Sequence, residues 1–514
     1  MCYKWIFLLG LSAMLGACSQ TVDSFDDEDS LEISSSAKKG ASSSSKGGKA
    51  TSSATEEPDE DCVGEPGTVW DGTTAKNFAC GAGTKLSPYV ILTAEQLAKL
   101  SFVIGANDKA YQGKYYKLGA DIVLNKGKII DDKGGLVADS AKLHKWTPIG
   151  NSSVSFTGTF DGDGHSVSGM FINTTSTHNG LFGNSSGTVQ NVTVENSWVS
   201  GGDRSAGVLG VLRGAGIIKG AINKASVIGV GNATGGVVGA YESVCCNNVG
   251  VIENVENYGL ISGSKTVGGV IGSGTNIRIT NAINYNEIIG TAGTGGIAGS
   301  LGSNSVLMNA ENKGNISGKE GTAGIAGYFG YVYSCSTNSK QATLKGAKNS
   351  GYVEGAKYTA GIVGKNDCSA NSTLSNDGSI IGTFYTAGVF GYAKNSNTEF
   401  AYNVGNVLGD TYVGGIAGYN EVGVSQSIYS TGKVDGDSLV GLMIGYNFNT
   451  TMADYYYLKQ GDQETFGQNN GGGVATPKTE KEMKSKKFAE LLGDDFVYDS
   501  GLNDGYPVLN WEKE

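Results

Sequence analysis

The 514-residue chain is poor in proline (6), histidine (3), tryptophan (5) and charge (17% of residues). Arg204, Arg213 and Arg278 are its only guanidinium groups, and Lys plus Arg (38) fall 11 short of Asp plus Glu (49). Nucleic-acid binding is therefore excluded, because it needs clustered cations against phosphate. With His144, His165 and His178 as the whole imidazole complement, no Ser/His/Asp or Cys/His constellation can be read from the spacing. Clustered carboxylates, or carboxylates beside Lys and Arg as a polysaccharide hydrolase or lyase would need, are sparse in the repeats. No catalytic residue and no cofactor is implied. What is abundant is glycine, 82 residues, without the triplet of collagen, and glycine at that level points to many tight turns.

The chain opens with Lys4, an apolar run Trp5-Ile-Phe-Leu-Leu9, and Leu15-Gly16-Ala17 ahead of Cys18. Residues 1–17 read as a signal peptide, too short to be a spanning helix. Small residues just before a Cys resemble a lipobox, the bacterial signal at which the Cys thiol takes a diacylglycerol and becomes the mature N-terminus. The alternative is an ordinary secretory signal with a chance Cys. Either way the protein is exported. Lipidation of Cys18 would make the membrane a partner and place the protein on the cell envelope, at the outer membrane or cell surface. Residues 18–61 are Ser-rich and acidic with few large apolar side chains, so they read as a disordered tether. About 40 such residues reach roughly 35 Å. Past it lie Cys62, Cys80, Cys245, Cys246, Cys335 and Cys368, an even six in an exported body, which permits disulfides. Cys62 and Cys80 would close a loop near the tether, and Cys245-Cys246 would form a vicinal pair.

A Gly-apolar-x-Gly motif recurs through the body: Gly180-Leu-Phe-Gly183, Gly207-Val-Leu-Gly210, Gly236-Val-Val-Gly239, and onward to Gly415-Ile-Ala-Gly418 and the variant Leu442-Met-Ile-Gly445. The commonest spacing is 27 residues. Counted back from the last Gly, Asn257, Asn284, Asn312, Asn349, Asn376 and Asn403 lie fifteen before it, and Ile261 through Val434 lie eleven before it. Gly263 through Gly436 lie nine before it. No segment of this unit is long or glycine-poor enough for a helix, while short β-branched pieces alternate with turns. The fold expected is all-β, a parallel β-helix of about ten 27-residue coils over residues 146–457, stacked at ~4.8 Å. Its glycines would supply corners with φ > 0 and its Ile/Val positions a narrow core. The Asn series fits a buried amide ladder, with turn conformation or ligand contact as the alternatives.

Residues 62–145 would cap the first coil. Thr93-Ala-Glu-Gln96 starts a helix there by its capping-box pattern, and Tyr116 to Leu124 reads as a strand. Residues 458–514 would form a C-terminal cap with a short helix from Thr479, an apolar face of Met483, Phe488, Leu491 and Leu492, a stop at Gly493, and a final strand over 505–511. The basic run Lys478 to Lys487 reads as a solvated helix face.

Gly414-Gly-Ile-Ala-Gly-Tyr-Asn420 resembles the GLUG repeat of bacterial surface proteins. The block from Trp146-Thr-Pro-Ile-Gly150 through Phe156 to His165 and Gly180-Leu-Phe-Gly183 resembles the segment that leads into such arrays. The resemblance covers roughly residues 86–457 and implies a β-solenoid at the cell surface, commonly in adhesion or carbohydrate contact. It supplies no catalytic residue, and the loss of a glycine at Leu442 suggests that the array ends there.

Three candidate features remain. Asp161-Gly-Asp163-Gly-His165 could hold a hard cation such as Ca²⁺, but Asp-Gly pairs also favour β-turns, and the acidic ligand set of a calcium loop is missing. Tyr392, Tyr419 and Tyr446 each follow the last Gly of three consecutive units, as Tyr328 does in an earlier one, so they form a column. Outward-pointing rings would stack on sugar faces; otherwise they stack on one another as a structural ladder. Cys335 and Cys368 lie eight and four residues past the last Gly of adjacent units, which predicts a disulfide between neighbouring loops. The function expected is binding or adhesion at the surface, with carbohydrate or matrix protein as ligand. A polysaccharide-active β-helix enzyme and a purely structural envelope protein are the alternatives.

Overall fold

The computed structural model describes residues 62–244, 248–331, 335 and 341–513. Cys18, the tether and the Cys245-Cys246 pair lie outside them. The described residues belong to one compact unit, a parallel β-solenoid of about 13 turns.

A coil is built from one longer strand and three short ones. In the coil that ends at Gly418 these are Asn397–Asn403, Val407–Leu408, Thr411–Gly414 and the start of Ala417–Ser430. Each strand pairs in parallel with its counterpart one coil on, as in Asn376↔Asn403, Ile380↔Val407, Thr386↔Val413 and Tyr392↔Tyr419. Strand alternation alone would turn residues three apart to opposite faces. Yet Ile252 and Val255 are both fully buried, because Asn254 between them is left-handed at φ +53° and resets the alternation. The predicted core positions Ile261, Ile288, Ile316, Val353, Ile380, Val407 and Val434 all point inward, none more than 2% exposed. Each such side chain contributes roughly 1.5–3 kcal/mol relative to exposure.

The expected ten coils undercount the array. Tyr89–Ile91 pairs with Tyr115–Leu118, which pairs in turn with Thr159–Asp161, so residues expected only to cap the solenoid supply rungs of it. They lack the Gly-x-x-Gly signature because aromatic packing of Phe78, Tyr89, Tyr116 and Phe156 fills the space that small residues leave further on. The helix Ala94–Gly105 starts at its predicted capping box, with Thr93 accepting from Gln96 N and the Gln96 side chain accepting from Thr93 N. Leu97, Leu100 and Ile104 pack into the same core as the coils.

The amide ladder is present and begins one coil earlier than the sequence series, at Asn223. Asn223, Asn257, Asn284, Asn312, Asn349, Asn376 and Asn403 are buried, and each donates from Nδ2 to Oδ1 of the next at 2.7–2.8 Å. The second Nδ2 hydrogen goes to the carbonyl two residues on, as from Asn349 to Gly351 at 2.9 Å. The first glycine of the motif serves this ladder and not, as expected, a φ > 0 corner. Gly324, Gly361 and Gly388 have ordinary φ, and a Cβ on any of them would overlap the amide of Asn349, Asn376 or Asn403. The left-handed positions are mostly held by other residues.

Beside the ladder runs a second column, buried Thr234, Val267, Thr294, Thr322, Thr359, Thr386 and Val413 and half-buried Val440 in register. The hydroxyls of its five threonines have no hydrogen-bond partner. Val and Thr share this column, so the position selects for volume and not for the hydroxyl.

The C-terminal residues also depart from expectation. The helix breaks at Lys484 into Glu480–Met483 and Lys486–Leu492, each with its own hydroxyl cap, from Thr479 and Ser485. Met483, Phe488 and Leu492 are buried, but Leu491 is 48% exposed. Gly493 ends the helix at φ +108°, and Val508–Leu509 pairs antiparallel with Phe496–Val497. This segment lies along the flank of the coils. Phe488, Phe496 and Tyr506 pack over a ladder of Tyr402, Tyr429 and Tyr456 from three successive coils. The Glu512 carboxylate, 3% exposed, receives Lys348 Nζ at 3.1 Å, Ser375 Oγ at 2.9 Å and Tyr402 Oη at 2.9 Å.

Two substitutions should move stability in opposite directions. Asn349→Ala leaves the Asn312 donor and the Asn376 acceptor buried without partners, a loss of about 2–4 kcal/mol. Thr322→Val removes an unsatisfied buried hydroxyl and should gain about 1 kcal/mol. Thermal and urea melts of both variants check the signs; equal destabilisation would refute the reading of the two columns.

Candidate functional site

Ten successive coils place a left-handed residue at one address: His178, Arg204, Ala233, Thr266, Gly293, Gly321, Tyr358, Tyr385, Tyr412 and Leu439, with φ between +48° and +66°. The carbonyl of this residue tucks against the last Gly of the motif. A Cβ on Gly364, Gly391 or Gly418 would lie 2.6–2.7 Å from the carbonyl oxygen of Tyr358, Tyr385 or Tyr412. Left-handed backbone is easy for glycine and costly for bulky side chains, so three consecutive tyrosines here are unusual.

Those tyrosines form a column that sequence reading missed. Their rings stack, Tyr358 on Tyr385 at 5.2 Å and Tyr385 on Tyr412 at 4.8 Å. The predicted column stands beside it, with Tyr392 on Tyr419 at 5.1 Å and Tyr419 on Tyr446 at 4.9 Å. Between the columns the rings meet edge to face: Tyr385 with Tyr392 and Tyr419, and Tyr412 with Tyr419 and Tyr446, at 5.9–6.1 Å. The result is a herringbone of six half-buried tyrosines on one side of the coils, with exposed Phe384 tilted against Tyr385. Ring faces are taken up by neighbours within each column, so the alternative of a self-stacking ladder describes these rings, and Tyr446 Oη accepts from Asn470 Nδ2 at 2.9 Å. The missed column was legible in principle, since Tyr358, Tyr385 and Tyr412 each lie six residues before the last Gly of their unit.

Charge at the patch is sparse and paired. Glu421 accepts from Tyr392 Oη at 2.7 Å and from Lys394 Nζ at 2.8 Å. Burial opposes its ionisation, but these two partners hold its carboxyl below the usual range. Burial, followed by the Glu421 hydrogen bond, pushes the Tyr392 phenol above its ordinary value, and burial does the same for Tyr385 and Tyr419. The hydroxyls of Tyr385, Tyr392 and Tyr419 are therefore neutral donors and acceptors at physiological pH. Lys357 Nζ lies 4.7 Å above the Tyr358 ring.

The other candidates are placed as follows. Asp161 accepts from Asp163 N at 2.9 Å, Gln190 Nε2 at 2.7 Å and Asn191 Nδ2 at 3.0 Å. These bonds outweigh burial and hold its carboxyl below the usual range. Asp163 turns away to Lys117 Nζ at 2.8 Å, and His165 faces Asp121 at 3.4 Å. The Asp-Gly-Asp-Gly-His run thus forms a turn whose carboxylates are aimed at different partners. Cys62–Cys80 and Cys335–Cys368 are disulfides, with Cα atoms 4.8 and 5.7 Å apart. Asp367 lies against the second pair, and burial raises its carboxyl.

A raised phenol in the folded state means that the native protein holds protons the unfolded chain releases, so stability is present below the unfolded value and falls as pH rises through about 10. Tyr392, Tyr402 and Tyr429 should remain protonated after exposed phenols ionise. A spectrophotometric phenolate titration checks this; a single transition for all tyrosines near the ordinary value would contradict it.

No family model matches the chain. It is similar to halomucin of Haloquadratum walsbyi, 31% identical over 178 residues, which is 34% of this chain and 2% of that protein. It is also similar to a provisionally named Gly-rich membrane protein of Evansella cellulosilytica, 32% identical over 126 residues, 24% of this chain and 13% of that one. The match therefore spans a small part of either relative's length. A crystal structure of a provisionally assigned immunoglobulin A1 protease from Bacteroides ovatus aligns over 84% of this chain and 95% of that one, at 17% identity and a TM-score of 0.27.

Proposed function

We propose that this is an exported protein, lipid-anchored through Cys18 to the cell envelope, that works as a surface binder or adhesin and not as an enzyme. Its tyrosine herringbone would be the contact face, and carbohydrate or extracellular matrix its ligand. The observation that carries this reading is the left-handed placement of Tyr358, Tyr385 and Tyr412. Strain of about 1–3 kcal/mol per residue persists where a side chain is needed. Gly293 and Gly321 occupy the same address two and one coils earlier, so the backbone does not require tyrosine.

A second left-handed column in the same solenoid supplies the comparison. It runs Asn191, Gly220, Asn254, Asn281, Asn309, Gly346, Thr373, Phe400, Ser427 and Asp454. Small or polar residues hold nearly all of it, and asparagine tolerates this conformation. The one aromatic, Phe400, packs on Phe496 of the C-terminal segment at 6.4 Å. A bulky residue at a strained position is there matched by a partner from the chain itself. Over Tyr358, Tyr385 and Tyr412 the described residues provide the neighbouring tyrosines, Phe384 against Tyr385 and Lys357 over Tyr358, but no packed segment such as the one that covers Phe400, which favours a partner from outside. Hydroxyls and ring edges repeating once per coil suit an extended, hydroxyl-rich polymer or a protein surface. The names of the two relatives, a halomucin and a Gly-rich membrane protein, accord with an envelope setting, as does the resemblance to GLUG repeats.

Replacing Tyr358, Tyr385 and Tyr412 together by Asn suits the backbone and removes the rings. On glycan and matrix-protein arrays the variant should lose binding by about tenfold or more, with a melting temperature within a few degrees of the parent; unchanged binding would overturn the reading. Separately, Cys18→Ser should shift the protein from the membrane fraction to the soluble one in its host, and retention in the membrane would refute the lipid anchor.

A further inference from the structure

A cleft of about 740 Å³ opens where the C-terminal end of helix Ala94–Gly105 meets the turns 145–152 and 172–179. It lies at the opposite end of the left-handed column from the tyrosines, and the residue that heads that column, His178, lines it. His178 is 7% exposed and left-handed at φ +66°. Its Nδ1 is held by the Thr177 hydroxyl at 2.7 Å, while Nε2 has no protein partner among the described residues. An imidazole nitrogen without a protein partner, on a residue that lines a pocket, is the kind of group that a ligand completes.

The rest of the wall is uncharged apart from Lys145 at its rim. Asn179, 2% exposed, donates to Ser176 O at 2.7 Å and to Ser205 Oγ at 3.1 Å. Ser101, 5% exposed, donates to Thr147 O at 2.7 Å. Most lining residues are Ser, Thr or Asn, with Trp146, Pro148 and Ile172 among the apolar ones. On a chain of net charge −11, no acidic side chain lines this cleft, and its one cation, Lys145, is exposed. A cationic ligand would find no counter-charge. The volume falls within the ~300–1,000 Å³ of small-molecule sites.

We propose that this cleft binds a neutral, hydroxyl-rich ligand one or two sugar rings long, with His178 Nε2 as the group that the ligand engages. Sugar hydroxyls donate and accept in turn, as the Ser, Thr and Asn lining does, and the C–H face of a pyranose suits the apolar part. Burial, and then Arg204, lower the His178 pKa, so the ring stays neutral at pH 7 and adds no charge of its own. The site shares no residue with the tyrosine face.

The test titrates the full-length protein with maltose, cellobiose, lactose, mannobiose and chitobiose, and with the matching uronic-acid disaccharides, by saturation-transfer NMR and calorimetry. At least one neutral disaccharide should bind. Asn173→Trp fills the cleft from an exposed rim position and should weaken that binding about tenfold or more. His178→Asn keeps a residue that tolerates left-handed backbone and should weaken it by about as much. In the triple tyrosine variant the His178-sensitive binding should persist even where the tyrosine face no longer binds. The proposal fails if no neutral disaccharide binds, if only the acidic ones do, if Asn173→Trp has no effect, or if binding is lost in the tyrosine variant instead.

Discussion

A buried asparagine must find partners for two N–H groups and an oxygen, and in this protein the partners are another asparagine one coil away and a carbonyl two residues on. That requirement sets much of the coil. The carbonyl two residues on fixes the turn after each Asn, and the Oδ1 above leaves no room for a Cβ on the first motif glycine. Coils that satisfy the ladder must keep register, and one that slipped would bury an unpaired amide at a cost of about 1–3 kcal/mol. Insertions in the longer units fall elsewhere, so that Asn312 and Asn349, 37 residues apart, still meet at 2.8 Å.

Register in turn creates columns, and columns separate support from display. Inward columns repeat Ile, Val, Thr and Asn with little variation. Outward ones vary freely from coil to coil, and two of the left-handed columns show the range. In one, Asn dominates and Asn281 bonds Asn254 and Asn309 along the surface. In the other, the side chains change from His and Arg through small residues to a run of tyrosines. A backbone address that every coil must adopt thus becomes a place where different chemistry can be mounted.

Much of this was legible in the sequence because stacking converts linear spacing into spatial neighbourhood. The 27-residue period gave the solenoid, the Asn ladder, the column Tyr392, Tyr419 and Tyr446, and the Cys335–Cys368 bridge. Other features follow no period. The earliest rungs, such as Tyr89–Ile91, use aromatic packing in place of the glycine motif, so nothing marks them as coils. The sign of φ at a glycine is set by what surrounds it, so glycines such as Gly361, which exclude a Cβ for space alone, look like corner glycines in the sequence. The cleft at His178 joins residues about 75 positions apart and has no repeat behind it. The flank docking of residues 476–513 was hidden in the same way, although Tyr402, Tyr429 and Tyr456, spaced by 27, were its periodic half.

The Glu512 clasp has a mechanical consequence. In a solenoid each coil is bonded chiefly to its two neighbours, and an end can peel away one rung at a time. The C-terminal segment instead touches Lys348, Ser375, Tyr402, Tyr429 and Tyr456, one residue from each of five successive coils. Under load those coils have to part together, and the last third of the array should yield as a single block.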